Sequence, residues 1–206
     1  MSENKPVREP IEWCRIWRPG VHNTESPRVL LIGDSICEAY GPIVDQKLEG
    51  KAVVDRLATS KCVSDPMFFR EVQLTAEEYD YAVVHFNSGL HGHHQTEAEY
   101  EAGLRTLIDL LRGLALDATL IWASSTPVTE YGDTSTFSEE KNPHVLMCNE
   151  VAAAIMAEKG IETNDLYALV AGRVELRVDD GYHYNPDGAA VLAAAVLEVI
   201  QKALDA

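Results

Sequence analysis

The stretch that decides the fold is Arg28-Val29-Leu30-Leu31-Ile32-Gly33-Asp34-Ser35-Ile36. It opens as a short, largely apolar run that ends at a glycine, the pattern of a strand buried on both faces of a parallel sheet. Beyond Gly33 the chain enters a helical pattern. Three later runs resemble the first: Ala52-Val53-Val54, Tyr81-Ala82-Val83-Val84 and Ala118 to Ala123, with a weaker one around Ile161. Between them lie helical segments. Tyr100, Leu104, Leu107, Ile108 and Leu111 fall on one face of an amphipathic helix. Asn142 is placed to cap a helix that runs to Lys159 and stops at Gly160. Asn185-Pro186 opens an apolar final helix through Leu204. Strands alternating with helices predict a three-layer α/β/α sandwich, flavodoxin-like, of about five parallel strands joined by right-handed crossovers. Trp122 is expected in its core.

The chain has 206 residues, 46% of them apolar and 24% charged, which excludes a disordered chain, a collagen and a disulfide scaffold. That length suffices for one domain with its own core. Residues 28–206 are read as this domain, and residues 1–27, mostly polar and proline-rich, as an N-terminal arm. The arm carries one apolar knot, Ile11, Trp13, Ile16 and Trp17. Either the knot packs on the body, or its tryptophans line the substrate cleft or reach the partner of a homodimer. Lys and Arg number 17 against 33 Asp and Glu, a net charge of −16, which argues against nucleic acid and membrane partners. The opening residues, MSENKPVREP, lack the apolar segment of a signal peptide. Cys14, Cys37, Cys62 and Cys148 form no CxxC pair, which fits free thiols and a cytoplasmic location.

In open α/β sheets ligands bind beyond the carboxyl ends of the strands. Three groups of residues stand there. Ser35 follows the first strand at the start of a helix, where its own N–H and the helix dipole favour a developing negative charge. Asp180 and His183, three residues apart in a predicted turn, can pair so that Nε2 of the ring is left free to take a proton. Asn87, in His85-Phe86-Asn87-Ser88-Gly89, can aim its amide at an oxyanion, while Gly89 lets the backbone turn closely. Each has an ordinary explanation when taken alone: a helix cap, a surface turn, a loop.

Together they resemble the SGNH hydrolases, the GDSL esterase and lipase family. Gly33-Asp34-Ser35-Ile36 matches the nucleophile motif with Ile for Leu, and Asp180 with His183 matches the Asp-x-x-His motif. Asn87 matches the third block, where His85 stands for Gly and Ser88 for Asp. The stretch from His85 to Gly92 is similar to a carbohydrate-esterase-like branch. The family's second block places a glycine after the second strand; Arg56 to Asp65 has none, and Ser64 and Ser60 are the candidates to supply that backbone N–H.

The resemblance implies ester hydrolysis through an acyl-enzyme without a cofactor. Ser35 would be the nucleophile, His183 the base and Asp180 its orienter, with Ser35, Asn87 and Ser64 in the oxyanion hole. Asp34, His85, Ser88, His91 and Tyr182 are the expected substrate contacts. The expected substrate is a small-molecule or oligosaccharide ester, acetylated on a carbohydrate; a lipase or thioesterase and a non-catalytic carbohydrate-binding relic are the alternatives. His85, His91, His93 and His94 raise a metal-dependent hydrolase as a rival, but no HExxH or comparable acidic pattern accompanies them, and no metal is expected. Thr126 to Lys141 is expected to be a mobile specificity loop in which Tyr131 and Phe137 could stack on a sugar. Cys37 is expected to be a buried thiol, and Tyr184 to shape the pocket wall with Tyr182.

Overall fold

The computed structural model describes residues 6–206; the first five residues of the expected arm lie outside it. Its main sheet holds β1 (Cys14–Trp17), β2 (Arg28–Gly33), β3 (Val53–Thr59), β4 (Val83–Phe86), β5 (Thr119–Ala123) and β8 (Glu162–Asn164) in the order β1-β3-β2-β4-β5-β8. A separate hairpin pairs β6 (Thr129–Glu130) with β7 (Asp133–Phe137). The five strands β2, β3, β4, β5 and β8 are parallel, as the alternating pattern predicts. The sixth, β1, runs antiparallel on the edge of β3, so part of the expected arm belongs to the sheet.

Alternation along β2 shows why an unbroken apolar run suits this position. Val29 and Leu31 face one layer with α1 (Ser35–Lys47), the short α5 (Leu166–Val170) and α6 (Pro186–Leu204), where Tyr40, Val44, Leu192, Val196 and Ile200 pack. Leu30 and Ile32 face the other, against Phe68 of α2 (Pro66–Ala76), Leu104 and Leu107 of α3 (Glu97–Leu114) and Ile155 of α4 (Asn142–Lys159). Trp122 lies in this second layer, edge-on to Phe86 at 5.3 Å between ring centroids.

The caps follow local chemistry. Asp34 caps α1 by accepting the Ile36 N–H at 2.9 Å. Thr96 and Glu99 form a reciprocal capping box on α3. Asn185 caps α6 through the Gly188 N–H, with Pro186 in the first turn. α4 ends at Gly160 in the left-handed conformation, but its start departs from expectation. Asn142 is already inside the helix, and its side chain accepts the Val128 N–H and donates to the Tyr167 hydroxyl instead of capping.

The apolar run at residues 52–54 ends at Asp55, yet β3 continues to Thr59 because the charge is satisfied internally. Asp55 is fully buried; Arg28 donates to both its oxygens at 2.9 and 3.1 Å and Tyr81 to one at 2.8 Å. Removing one partner of a buried ion pair leaves the other charge uncompensated, at a cost of about 3–5 kcal/mol, whereas apolar replacement of both is far milder. Arg28→Met should therefore lower the unfolding free energy in urea by about that amount. Arg28→Met combined with Asp55→Leu should recover much of the loss.

Candidate active site

β2 delivers Ser35 as the first residue of α1, and the turn before α6 delivers Asp180 and His183. Ser35 Oγ lies 2.8 Å from His183 Nε2, across 148 residues of sequence. His183 Nδ1 lies 2.6 Å from Asp180 Oδ2. A carboxylate can only accept at Nδ1, so the ring proton belongs there and Nε2 is the acceptor for the serine hydroxyl. The second carboxylate oxygen, Oδ1, accepts the backbone N–H groups of Tyr182 and His183 at 2.9 and 2.8 Å. Partial burial alone would raise the Asp180 pKa, but these backbone bonds and the imidazole outweigh it and hold the carboxyl below the usual value.

The turn is braced from outside. The segment 126–141, expected as a loop, folds in part into the β6–β7 hairpin. Thr129 N–H donates to the Gly181 carbonyl at 2.8 Å and Gly132 N–H to the Asp179 carbonyl at 2.7 Å. Arg177 ties in the Pro127 carbonyl at 3.1 Å. Gly181 has φ +88°, and a side-chain carbon there would stand 2.6 Å from the Thr129 carbonyl, so only glycine lets the turn and hairpin approach this closely. Tyr131 and Phe137 of this hairpin are exposed, and neither lines the cleft that holds Ser35.

Several expected contacts fall elsewhere. Asn87 does not present a free amide: its Nδ2 donates to the Ala123 carbonyl at 2.7 Å and to Ser125 Oγ at 3.0 Å, which uses both hydrogens. Gly89 is explained by packing, since a side-chain carbon there would sit 2.2 Å from Ser125 Oγ. Ser60 gives its N–H to the Trp13 carbonyl at 3.1 Å. Ser64 pairs its hydroxyl with the Cys62 thiol and is absent from the lining of the Ser35 cleft. Ser88 is buried beneath the Tyr100 hydroxyl, which donates to its carbonyl, and Asp34 is spent as the α1 cap. His85 is no substrate contact either. It sits inside β4 between Leu31 and Ile121, fully buried, with Nε2 accepting from Asn164 Nδ2 at 3.3 Å. Among the oxyanion candidates, the Ser35 N–H, at the start of α1, is the one that adjoins the Ser35 hydroxyl.

His91 and Tyr182 do line the cleft, a space of about 470 Å³ that also contains Ser35 and His183. Its remaining wall comes largely from Trp13, as one reading of the arm expects, and from Glu9, Pro10, Arg15, Glu38 and His93. His91 Nδ1 meets Glu9 Oε1 at 2.6 Å, and His93 packs against His144 at 4.9 Å between ring centroids. Among the described residues no three His, Cys, Asp or Glu side chains are gathered as a metal ion would require. Burial drives the Cys37 thiol up to about 12, so the cysteine beside Ser35 is no thiolate at neutral pH. Tyr184 is buried against Arg177 rather than in the cleft.

No family model matches the chain, and no curated protein matches it in sequence. Solved structures do match. A GDSL-like lipase from Bacteroides thetaiotaomicron superposes with a TM-score of 0.68 at 16% identity, covering 85% of this chain and 88% of its own. A carbohydrate acetylesterase family member from Sinorhizobium meliloti gives 0.67 at 14% identity, covering 87% and 100%. An aryl esterase from M. smegmatis gives 0.68 at 14% identity, covering 86% and 99%. The chain has the α/β/α fold of the SGNH hydrolases.

Burial of His85 carries a pH signature. Desolvation pushes its pKa down to about 3, so the native ring stays neutral where the unfolded chain, at about 6.5, takes up a proton. Stability contributed by this group is full above pH ~6.5 and is lost as the pH falls toward ~3, with a slope of up to about 1.4 kcal/mol per pH unit. Urea unfolding at pH 7 and 4.5 should show a smaller acid loss for His85→Gln, whose side-chain oxygen can still accept from Asn164, than for the unsubstituted protein.

Proposed function

We propose that this protein is a serine carboxylic-ester hydrolase that removes small acyl groups, acetyl above all, from a carbohydrate alcohol. The observation that carries the reading is the continuous chain Ser35 Oγ to His183 Nε2 and His183 Nδ1 to Asp180, assembled from opposite ends of the sequence. In the reaction, Ser35 Oγ bonds to the ester carbonyl carbon as its proton passes to His183 Nε2. Asp180 holds the ring in place and stabilises the imidazolium. The Ser35 N–H, at the positive end of α1, faces the charge that develops on the carbonyl oxygen. Collapse breaks the bond to the alcohol oxygen, which leaves with the His183 proton. Water, deprotonated by His183, then attacks the acyl-serine and releases the acid.

Two features favour a small acyl group on a bulky alcohol. The cavity bounded by Asp34 and Ile36, the sequence neighbours of Ser35, together with Asn87, Leu90 and Ser125 measures only about 10 Å³, space for one water-sized group rather than an acyl chain. The open cleft is far larger and is lined by aromatic and polar side chains. Carbohydrate and acetyl chemistry also agree with the name of the Sinorhizobium structural relative.

Ser35→Ala should cut turnover of 4-nitrophenyl acetate by at least about 10⁴-fold without changing the circular-dichroism spectrum. Retained activity would remove Ser35 from the mechanism. Across aryl esters of rising acyl length, kcat/KM should be greatest for acetate and fall by butyrate. A maximum at octanoate would favour a lipase or thioesterase, and sugar binding without acetate release would identify a non-catalytic relic.

A further inference from the structure

The wall of the Ser35 cleft is built in part by residues from outside the α/β body. Glu9, Pro10 and Trp13 precede β1, yet they line the same space as Ser35 and His183. This segment is fastened at three separate points. Arg8 grips Asp65 through Nε to Oδ2 at 2.7 Å and a second nitrogen to Oδ1 at 3.2 Å, and the Asp65 carboxylate is almost fully buried as the cap of α2. Glu9 meets the His91 ring at 2.6 Å. The main chain of Trp13 extends the β1–β3 ladder: its N–H donates to Ser60 Oγ at 2.9 Å, and its carbonyl accepts the Ser60 N–H at 3.1 Å and the Thr59 hydroxyl at 3.2 Å.

The consequence is an indole on a fixed backbone, partly open to the cleft, with the Arg15 guanidinium 5.9 Å from its centroid. Trp13 is half-buried, and its ring stands edge-on to His91 with centroids 6.2 Å apart. A large aromatic left partly exposed in a cleft, with its backbone fixed on both sides, is a contact surface that loses little entropy on binding. Tyr182 adds a second aromatic to the same wall, and Glu9, His91 and His93 supply polar groups around it. A dry apolar channel would suit an alkyl chain. Flat rings bordered by carboxylate and imidazole suit a ligand with apolar C–H faces and an equator of hydroxyls, which is a pyranose. Arg15, the arginine of this wall, is paired with Glu38, which favours a neutral sugar over a uronate.

We infer that Trp13, presented by the anchored segment 8–13, is a specificity-determining residue that stacks on the pyranose ring of the ester's alcohol portion. The inference rests on the ester-hydrolase reading and extends it to the part of the substrate that Ser35 does not touch. Glu9, Pro10 and Trp13 are then a fixed wall of the leaving-group site, while Ile11 points away to solvent.

The test compares kcat/KM for an O-acetylated methyl glucopyranoside with kcat/KM for ethyl acetate, which has no ring. In Trp13→Ala the ratio of the two should fall about five- to tenfold, mainly through KM for the sugar ester, the size expected for loss of one aromatic contact. Trp13→Phe should restore most of the ratio. Ile11→Ala, an exposed change in the same segment, should leave it at the unsubstituted value. An unaltered ratio in Trp13→Ala, or an equal loss in Trp13→Phe, would overturn the stacking role while leaving ester hydrolysis standing. An unsubstituted protein that hydrolyses neither ester would overturn the ester-hydrolase reading itself, and this inference with it.

Discussion

The structure depends on the packing of α1 beside α6 on one face of the sheet. Ser35 begins the first of these helices and His183 lies three residues before the second. The apolar contacts of Tyr40 and Val44 with the layer that holds Leu192, Val196 and Ile200 therefore set how closely hydroxyl and imidazole approach. A separation of 2.8 Å is the product of a hydrophobic layer, with the polar chemistry added at its rim. Such a layer is close-packed and resists small displacements, which suits a reaction that loses rate with small misplacement.

The Asp180 turn shows the same division of labour. Its carboxylate spends one oxygen on the imidazole and the other on two backbone N–H groups, so a single side chain fixes both ring and loop. The β6–β7 hairpin closes over it through Gly181 and Asp179. The polar composition of residues 126–141 suggested a loop, because short strands rich in Thr and Ser carry little apolar signal. What orders the hairpin is the pairing of its backbone with the turn, a contact between distant segments.

Legibility followed burial. The doubly buried strands, the α3 face, the Gly160 stop and the Asn185-Pro186 start could be read because each rests on a local rule. β1 could not, since Cys14-Arg15-Ile16-Trp17 has no strand on its outer side and owes its conformation to β3. α2 is signalled by Asp65-Pro66, a cap followed by proline, at the end of the stretch that also offers Ser60 and Ser64 as oxyanion donors. In the site, Ser35, Asp180 and His183 lay at positions fixed by strand end and turn, and the structure brings them together. His85, Ser88 and Asn87 depart from expectation because β4 continues through His85: the strand's pleat turns the ring into the core, and the carbonyl of Ala123 on the neighbouring strand claims the amide of Asn87. The cleft wall from Glu9 to Trp13 depends on ion pairs and ladder contacts between residues 47 to 82 positions apart, which periodicity does not register.

In the proposed reaction His183 makes Ser35 a nucleophile. Treatment with diethyl 4-nitrophenyl phosphate, followed by peptide mass spectrometry, tests it most directly. One diethylphosphoryl group per chain is expected on Ser35, formed rapidly in the native protein and suppressed in His183→Ala. Labelling at another residue, or labelling of Ser35 at the same rate without the imidazole, would contradict it.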